Sequence, residues 1–306
     1  MQRYLLIRIA EGLLTLVAVS LVIFILTHLS GDPVSVMLPP EAGPDMRQRL
    51  IHLWGLDQPW PSQYVTFLKN ALQGNFGDSF HWSGQTAMGL VLNRLPATLQ
   101  LAGFAIIVSV SLAVPLGVAS ATHRDTPIDT FGKIVALLGQ SLPTFLTGLV
   151  LIWVFAATLH WFPTFGIGGW NNLILPGITL GLFPVAAFAR LTRSAMLTTL
   201  DSEYIKLARL NGVPEWKIVW KHALKNAAIV PLTYFGLVLG SLITGSVTIE
   251  TVFAWPGVGS LALDAVMARD YQVVQAVTIA ISAVFITVNL LVDVLHAYLD
   301  PRVRYT

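Results

Sequence analysis

Residues 97–119 read ATLQLAGFAIIVSVSLAVPLGVA, and no charged side chain interrupts them. A run of this length satisfies the roughly 20 residues that an α-helix needs to cross about 30 Å of hydrocarbon. The whole chain has the same character, because 55% of its 306 residues are hydrophobic and only 11% are charged. An average soluble protein has about 25% charged residues. The composition therefore excludes a soluble enzyme and indicates a membrane protein.

Five other stretches are similarly apolar. The six candidate spans are residues 9–29, 97–119, 134–159, 173–189, 227–249 and 273–295. The first follows two arginines, as a signal peptide would, but it is longer than the apolar part of such a peptide and no small-x-small cleavage site follows it. We therefore predict an all-α polytopic membrane protein with six transmembrane helices, a small extracytoplasmic cap and a structured cytoplasmic loop.

Lysine and arginine residues are distributed unevenly between the two sides that six spans define. The side with both termini collects thirteen of the 18 basic residues, namely Arg3, Arg8, Arg124, Lys133, Arg190, Arg193, Lys206, Arg209, Lys217, Lys221, Lys225, Arg302 and Arg304. The opposite side holds Arg47, Arg49, Lys69, Arg94 and Arg269. Because cytoplasmic loops carry the excess of basic residues, we predict that both termini are cytoplasmic.

The spans divide the chain into three regions. Residues 1–29 form an N-terminal tail and the first helix, residues 30–95 form an extracytoplasmic segment, and residues 96–306 form a five-helix core whose cytoplasmic loop covers about 194–226. The extracytoplasmic segment contains several turn-forming Gly and Pro residues together with seven aromatic residues: Trp54, Trp60, Tyr64, Phe67, Phe76, Phe80 and Trp82. This mixture predicts a small folded cap, with a plain lid over the helix ends as the alternative.

The cytoplasmic loop has the pattern of two short helices joined by a turn. Asp201 is a candidate N-cap, Gly212 suits a left-handed residue at the end of the first helix, and Pro214 suits the start of the second. In the second helix, Trp216, Val219, Trp220 and Ala223 recur at helical spacing, which predicts one apolar face. That face would lie against either a partner protein or the membrane surface.

The segment after the fifth span cannot continue as a helix. Trp255, Pro256 and Gly257 interrupt it within residues 250–259, because proline lacks an amide hydrogen and glycine favours turns. This break predicts a turn at the outer membrane surface. Its alternative role is an interface anchor built on Phe253 and Trp255.

Several chemistries are excluded or disfavoured by the composition. There is no cysteine, so disulfides and thiolate metal sites are absent, and the seven histidines show no metal-ligand spacing. Gly132-Lys133 lacks the remaining residues of a phosphate-binding loop, so ATP would have to be hydrolysed elsewhere. The formal charge of +2 gives no reason to expect a nucleic-acid partner.

Ionisable residues inside the predicted spans are few, namely Glu11, His28 and Asp293. We predict that Asp293 forms a structural ion pair with Arg302 or Arg190 instead of carrying protons. This scarcity argues against a proton-driven secondary transporter, which remains the alternative function. A membrane-embedded enzyme is a third hypothesis, but no nucleophile or carboxylate pair converges in the pattern.

Motifs along nearly the whole chain match one family in order. They are GDP (31–33), GLDQP (55–59), RLPATL (94–99), LP (175–176), RLTR (190–193), YIKLARLNG (204–212), HALKNA (222–227), ETVFAWPGVG (250–259), RDY (269–271) and DPR (300–302). Together they resemble the permease subunits of ABC importers, specifically the peptide and nickel branch. The wider family has a Glu-Ala-Ala triplet where this chain has Lys206-Leu207-Ala208, so only Ala208 and Gly212 match there.

The resemblance implies a subunit of a bacterial plasma-membrane importer that forms half of the pathway for di- or oligopeptides or a nickel chelate. Implied partners are a second homologous permease, two cytoplasmic ATPases that bind ATP and Mg²⁺, an extracytoplasmic solute-binding protein and membrane lipid. No cofactor or metal is expected on this chain, which would not itself be an enzyme. The residues expected to couple to the ATPase are Glu203, Lys206, Ala208, Arg209, Gly212, Lys221 and His222. The residues expected at an outer gate or vestibule are Glu250, Phe253, Trp255, Pro256 and Gly257.

Overall fold

The computed structural model describes residues 2–30, 34, 43–53 and 55–299. Within these ranges the regular structure is helical, and the only extended pairing is an isolated bridge between Asp78 and Thr86. The predicted all-α fold is confirmed. The motifs at residues 31–33 and 300–302 lie outside the described residues.

Thirteen α-helices follow one another along the described chain. They are α1 (Gln2–Leu29), α2 (Pro44–Leu53), α3 (Trp60–Leu72), α4 (Ala87–Thr122), α5 (Pro127–Ser141), α6 (Thr144–Leu151), α7 (Trp170–Leu200), α8 (Glu203–Leu210), α9 (Glu215–Lys217), α10 (Leu224–Ala227), α11 (Ile229–Val252), α12 (Val258–Met267) and α13 (Tyr271–Leu299). A π-helical stretch extends α6 through Ile152–Thr158, and another joins α9 to α10 through Ile218–Ala223.

Four of these helices, α1, α4, α7 and α13, are long and apolar enough to cross a membrane. The helix α11 becomes a fifth if its two parts, which meet at an angle of 41°, count as one span. The prediction of a single helix over residues 134–159 is wrong. There α5 ends at Ser141 and α6 begins at Thr144, because the residue before Pro143 is pushed out of the helical conformation. The count of six spans therefore remains a prediction.

The fourth predicted span is longer than expected. It was predicted to end at Ala189, but α7 continues to Leu200 and contains 31 residues, which gives a length of about 46 Å. This helix exceeds the roughly 30 Å of the hydrocarbon core. The helix is therefore longer than one crossing requires, and its C-terminal end leads into the segment that follows.

The helices α4 and α7 approach each other closely along their lengths. The Ser109 hydroxyl of α4 donates a hydrogen bond to the carbonyl of Gly181 in α7 at 2.6 Å. A Cβ atom on Gly181 would lie 2.6 Å from the Ala105 carbonyl oxygen, and one on Gly177 would overlap the ring of Phe104. Small residues thus permit close helix packing at these positions, as is common in membrane helix pairs.

The described part of the predicted extracytoplasmic segment packs on α1 and α13. Tyr64 of α3 hydrogen-bonds Ser20 of α1 at 2.9 Å, and Phe24 of α1 packs against the rings of Tyr64 and Phe67. Asp270, the residue before α13, is fully buried. Its carboxylate accepts hydrogen bonds from the Ser79 hydroxyl and from the amides of residues 80 and 81, at 2.5, 2.9 and 3.0 Å.

Candidate functional site

The segment that contains α8, α9 and α10 is docked on the helix bundle by its apolar side chains. Ile205 of α8 and Ile218 and Ala223 of the following π-helical stretch are fully buried. They pack in one cluster with Val118 of α4 and Met196 of the extended end of α7. Because buried aliphatic contacts of this kind are short-ranged and close-packed, the α8–α10 segment is fixed to two long helices at once.

The start of α8 differs from the prediction by one residue. Asp201 has helical dihedral angles (φ −83°, ψ −4°) and ends α7, whereas Ser202 is extended (φ −71°, ψ 151°) and precedes α8. The Ser202 hydroxyl donates to the Thr199 carbonyl at 2.5 Å and makes no side-chain cap. Asp201 as the N-cap is therefore wrong, because α7 continues further than its apolar pattern indicated.

The turn after α8 has the predicted geometry. Gly212 adopts φ +76°, a left-handed conformation that favours glycine, and the amide of Val213 donates to the Ala208 carbonyl at 3.1 Å. No heavy atom lies within 4 Å of the position that a Cβ on Gly212 would take. Glycine is therefore required here by the backbone conformation and not by close packing within this chain.

Two ion pairs lie on the exposed side of α8. Glu203 accepts from Lys206 at 2.8 Å, and Glu215 accepts from Arg209 at 2.8 Å. The hydrogen bond with Glu215 raises the pKa of Arg209, and the same bond lowers the pKa of Glu215. The carboxylate of Glu203 likewise raises the pKa of Lys206. Each cation of α8 thus has a carboxylate partner within the segment.

Apolar side chains accompany these charges on the exposed side of α8. Leu207 and Leu210 are 58% and 84% exposed, and Tyr204, 44% exposed, accepts a hydrogen bond from Asn226 at 2.7 Å. Ala208 is half-buried beneath them. The docked side of α8 is therefore apolar and buried, while its free side presents apolar residues together with paired charges.

The predicted apolar face of the second helix is wrong. Val219 and Ala223 are buried, but Trp216 and Trp220 are 64% and 50% exposed. The reason is the π-helical stretch from Ile218 to Ala223, whose wider turn shifts residues around the axis relative to an α-helix of about 3.6 residues per turn. Of the two coupling residues predicted here, Lys221 is exposed and His222 is half-buried.

The predicted break after the fifth span is confirmed. The helix α11 ends at Val252, α12 begins at Val258, and Ala254 between them has φ +47°, which is unusual for a residue with a side chain. Residues 250–260 form the α11–α12 turn. The turn closes through the Trp255 amide, which donates to the Glu250 carbonyl at 2.7 Å.

Glu250 is the centre of the α11–α12 turn. Its carboxylate is fully buried and accepts hydrogen bonds from the hydroxyls of Thr98 and Ser246, at 2.7 and 2.9 Å, and from the Ser260 amide at 2.9 Å. The Ser260 amide is in the first turn of α12, so the Glu250 side chain caps the start of that helix. Thr98 in turn accepts from the Val258 amide at 2.8 Å, which ties α4 to the same point.

The other predicted gate residues pack around this carboxylate. Phe253 and Trp255 are each 2% exposed, and the Trp255 indole donates to the Ala97 carbonyl at 2.9 Å. A Cβ atom on Gly257 would overlap the Glu250 carboxyl group. The structure therefore brings Glu250, Trp255 and Gly257 together, but it buries the side chains of Phe253 and Trp255, which excludes an anchor that places these rings at the membrane surface.

Sequence reasoning missed two buried carboxylates. One is Asp270, described above, and the other is Asp129 of α5, which is fully buried. Asp129 accepts two hydrogen bonds from Arg193 of α7, at 2.7 and 2.8 Å, and one from Lys133 at 2.9 Å. The guanidinium of Arg193 holds the pKa of Asp129 well below its usual range. The available signal was a lone acidic residue beside a predicted span.

The predicted partner of Asp293 also needs correction. Asp293 pairs with Arg8 of α1, whose Nε lies 3.2 Å from the carboxylate, and Arg8 also contacts Glu11 at 3.1 Å. Arg190 makes no such pair, and Arg302 lies outside the described residues. The structural role predicted for Asp293 holds, but its partner lies at the other end of the chain.

Two family models match the chain. The model described as binding-protein-dependent transport system inner membrane component matches residues 113–305, and the model of the N-terminal part of such components matches residues 1–102. This chain belongs to that family. It is thus an ABC importer permease, as the sequence motifs predicted, and the ABC reading is favoured over a secondary transporter.

Similar proteins agree with this assignment. The permease is 37% identical to the oligopeptide transport system permease protein AppB of Bacillus subtilis and 38% identical to the glutathione transport system permease protein GsiC of Escherichia coli, over the full length of all chains. Its fold resembles that of a chain in the inward-facing MetNI methionine ABC transporter, with a TM-score of 0.60 at 16% identity. That match covers 70% of the permease and 97% of the solved chain.

The family assignment identifies the classes of partner protein and the membrane location of the permease. As the inner-membrane component of a binding-protein-dependent ABC importer, it works with ATPase subunits and a solute-binding protein. The fold accordingly matches membrane subunits of ABC transporters over 70% of the permease.

Proposed function

We propose that this permease forms half of the translocation pathway for di- or oligopeptides and that it pairs with a second, homologous permease. Support comes from AppB and GsiC, which match it over the full length and are named for oligopeptide and glutathione transport. Both termini lie in the cytoplasm in this proposal, in agreement with the distribution of basic residues. A nickel chelate is the alternative cargo, which the motifs of the branch leave open.

The proposal places ATP hydrolysis on partner subunits. The sequence lacks a phosphate-binding loop, so nucleotide and Mg²⁺ would be held by two cytoplasmic ATPases. This chain then contributes no catalytic group, and its task is to convert the motion of the ATPases into a change of pathway shape.

In this proposal the α8–α10 segment receives that motion. The coupling residues Glu203, Lys206, Ala208, Arg209 and Gly212 belong to α8 and its turn, where Leu207 and Leu210 offer exposed apolar surface. Because Ile205 and Ile218 are locked into the bundle, a push on α8 would move α4 and α7 as rigid bodies. A flexible loop would absorb such a push.

The helix α4 connects the two candidate regions. Near its C-terminal end, Val118 packs against the α8–α10 segment, and Thr98 near its other end binds Glu250 in the α11–α12 turn. A displacement of α4 would therefore reach both regions without an intermediate element. We propose that the α11–α12 turn shapes the rim of the outer vestibule, where Glu250, Phe253, Trp255, Pro256 and Gly257 fix the positions of α11 and α12.

ATP-dependent uptake tests the proposed cargo. The permease would be purified with its co-expressed partner subunits and binding protein, reconstituted in proteoliposomes, and supplied with labelled dipeptide, glutathione or nickel chelate. Accumulation of a peptide that requires ATP supports the proposal. Accumulation of the nickel chelate alone would overturn the peptide assignment, and uptake driven by a proton gradient without ATP would overturn the coupling mechanism.

A matched pair of glycine variants tests the coupling role of α8. Gly212 and Gly84 have nearly the same positive φ, +76° and +77°, and no atom lies within 4 Å of an added Cβ at either site. We expect Gly212→Leu to leave membrane assembly intact but to uncouple ATP hydrolysis from uptake. Gly84→Leu introduces the same backbone strain away from α8 and should leave coupling unchanged. Equal uptake by both variants would contradict the role of α8.

A further inference from the structure

The exposed side of α9, the π-helical stretch and α10 has an unusual composition. Two tryptophans and three lysines on it are exposed, namely Trp216, Lys217, Trp220, Lys221 and Lys225, and so are Asn226 and Glu215, the partner of Arg209. We call this surface the Trp–Lys face. The opposite side of the same segment is the buried cluster of Ile218, Val219, Ala223 and Ala227. The Trp–Lys face is therefore held in place from behind and presents large aromatic surface and positive charge outward.

The charge of this face is not neutralised within the described part of the chain. Lys217 lies 5.5 Å from the centre of the Trp216 ring, and none of the three lysines makes an ion pair with a described acidic residue. By contrast, Lys206 and Arg209 of α8 are paired with Glu203 and Glu215. The two exposed surfaces of the segment thus differ, since the cations of α8 are paired with carboxylates and the lysines of the Trp–Lys face are available to an anionic partner.

The position of the face in the chain identifies that partner. The segment leads directly into α11, where Ile229 and Val230 are 43% and 48% exposed and belong to an apolar span. Tryptophan is enriched at the level of lipid headgroups, and lysines beside a membrane span attract anionic lipids. We propose that the Trp–Lys face binds anionic phospholipid headgroups of the cytoplasmic leaflet and anchors the α8–α10 segment to the membrane surface.

This inference rests on the proposed topology, in which the segment is cytoplasmic, and it divides the segment between two partners. The exposed side of α8 meets the ATPase, while the Trp–Lys face meets lipid. Lys221, which the sequence grouped with the coupling residues, then belongs to the lipid contact. An anchor of this kind would hold the α8–α10 segment at a fixed depth in the membrane surface. Motion of an ATPase would then be transmitted to the bundle and not lost in movement of the segment.

A single reporter cysteine can test the proposal because the natural chain has none. Trp220→Cys places a fluorophore on the Trp–Lys face, and Leu210→Cys places one on the tip of α8, which is 84% exposed. The full chain would be reconstituted in phosphatidylcholine vesicles that contain phosphatidylglycerol. Spin-labelled phosphatidylglycerol or spin-labelled phosphatidylcholine would then serve as headgroup quenchers, and iodide as the aqueous quencher.

We expect the anionic lipid to quench the label at position 220 at least about twofold more strongly than the zwitterionic lipid does. Replacing the three lysines together, Lys217→Gln, Lys221→Gln and Lys225→Gln, should make the two lipids equivalent while leaving the thermal unfolding midpoint unchanged. The label at position 210 should respond mainly to iodide. Equal quenching by both lipids before the lysines are replaced would overturn the proposal.

Two further outcomes separate competing explanations. A label at position 220 that is open to iodide, and becomes shielded only when the ATPase subunits are added, would assign the Trp–Lys face to the ATPase and overturn the lipid contact. If iodide applied only to the extracytoplasmic side reaches the label, the proposed topology fails and the face cannot lie at the cytoplasmic leaflet. Peptide uptake is measured separately, so failure of the lipid contact leaves the cargo assignment standing.

Discussion

The α8–α10 segment and the α11–α12 turn were both assigned to function from sequence motifs, but they are built in opposite ways. In the α8–α10 segment, aliphatic residues such as Ile205 are buried and the charged residues face outward, those of α8 in ion pairs. In the α11–α12 turn, the charged residue Glu250 is at the centre and Trp255 is packed around it. The first therefore presents exposed side chains on a buried apolar support, and the second is a corner whose shape depends on internal hydrogen bonds.

The buried carboxylates extend this difference to the two ends of the bundle. Asp129 of α5 is compensated by the cations Arg193 and Lys133. Among the described residues, Glu250 and Asp270 accept hydrogen bonds only from hydroxyl groups and backbone amides. Basic residues are concentrated on the predicted cytoplasmic side, so a carboxylate there finds a cation, whereas one at the opposite end is satisfied by helix N-termini and hydroxyls.

The largest effect is expected from breaking the cation-compensated carboxylate. Asp129→Asn should lower the free energy of unfolding by about 3 kcal/mol, because it leaves Arg193 without its buried partner. Lys133→Gln is the control, since Lys133 is 53% exposed and its loss leaves the Arg193 pair intact. Thermal unfolding of the purified protein measures both variants. Equal losses of unfolding free energy in the two variants would show that the buried pair with Arg193 contributes no more than the exposed pair with Lys133.

The same site has a defined pH dependence. Because the pKa of Asp129 is lowered in the folded state, the ion pair stabilises the protein at neutral pH, and this stabilisation is lost as the pH falls through the acid range. The difference in unfolding midpoint between the natural protein and Asp129→Asn should therefore shrink on acidification. A difference that is independent of pH would contradict the assignment of the lowered pKa to this pair.

The next largest effect is expected in the α11–α12 turn. Gly257→Ala forces a methyl group against the buried Glu250 carboxyl and should destabilise the protein by about 2 kcal/mol. Gly245→Ala is a matched control in α11, where no atom lies within 4 Å of the added Cβ. That variant should be neutral or slightly stabilising, because alanine favours the helix. Equal unfolding midpoints for the two variants would contradict the close packing of Gly257 against the Glu250 carboxyl group.

A smaller effect is expected at the turn of the α8–α10 segment. Gly212→Ala should cost about 1 kcal/mol, because the left-handed conformation at φ +76° disfavours a side chain but nothing obstructs the new methyl group. The cost should appear as local opening of α8, seen in hydrogen exchange of the Val213 amide, which bonds the Ala208 carbonyl. An unaltered exchange rate would indicate that the turn relaxes without strain.

The smallest effect is expected at the exposed ion pair of α8. Arg209→Gln removes a pair whose side chains are 44% and 59% exposed, so it should change the free energy of unfolding by no more than about 0.5 kcal/mol. The change should vanish at high salt, because solvent-exposed pairs are screened. A loss comparable to that of Asp129→Asn would mean that the two kinds of ion pair do not differ as the structure indicates.

The membrane class, the all-α fold and the places where helices must stop follow from the amino-acid sequence. Residues 97–119 are long and apolar enough to span a bilayer, Gly212 marks the end of α8, and Pro256 and Gly257 break the helix before α12. These features depend on local properties, namely the hydrophobicity of a run and the dihedral angles that glycine and proline favour. Such local properties can be predicted without knowing which residues of other helices pack against the segment.

The pairs of side chains that meet across the bundle depend instead on how the helices pack. Glu250 binds Thr98 across 152 residues, Asp270 binds Ser79 across 191, and Arg193 binds Asp129 across 64. The π-helical stretch likewise rotated Trp216 and Trp220 out of the face that their spacing predicted. Helix packing and distant hydrogen bonds fix these outcomes. They are long-range properties, so a periodic pattern along one helix does not contain them.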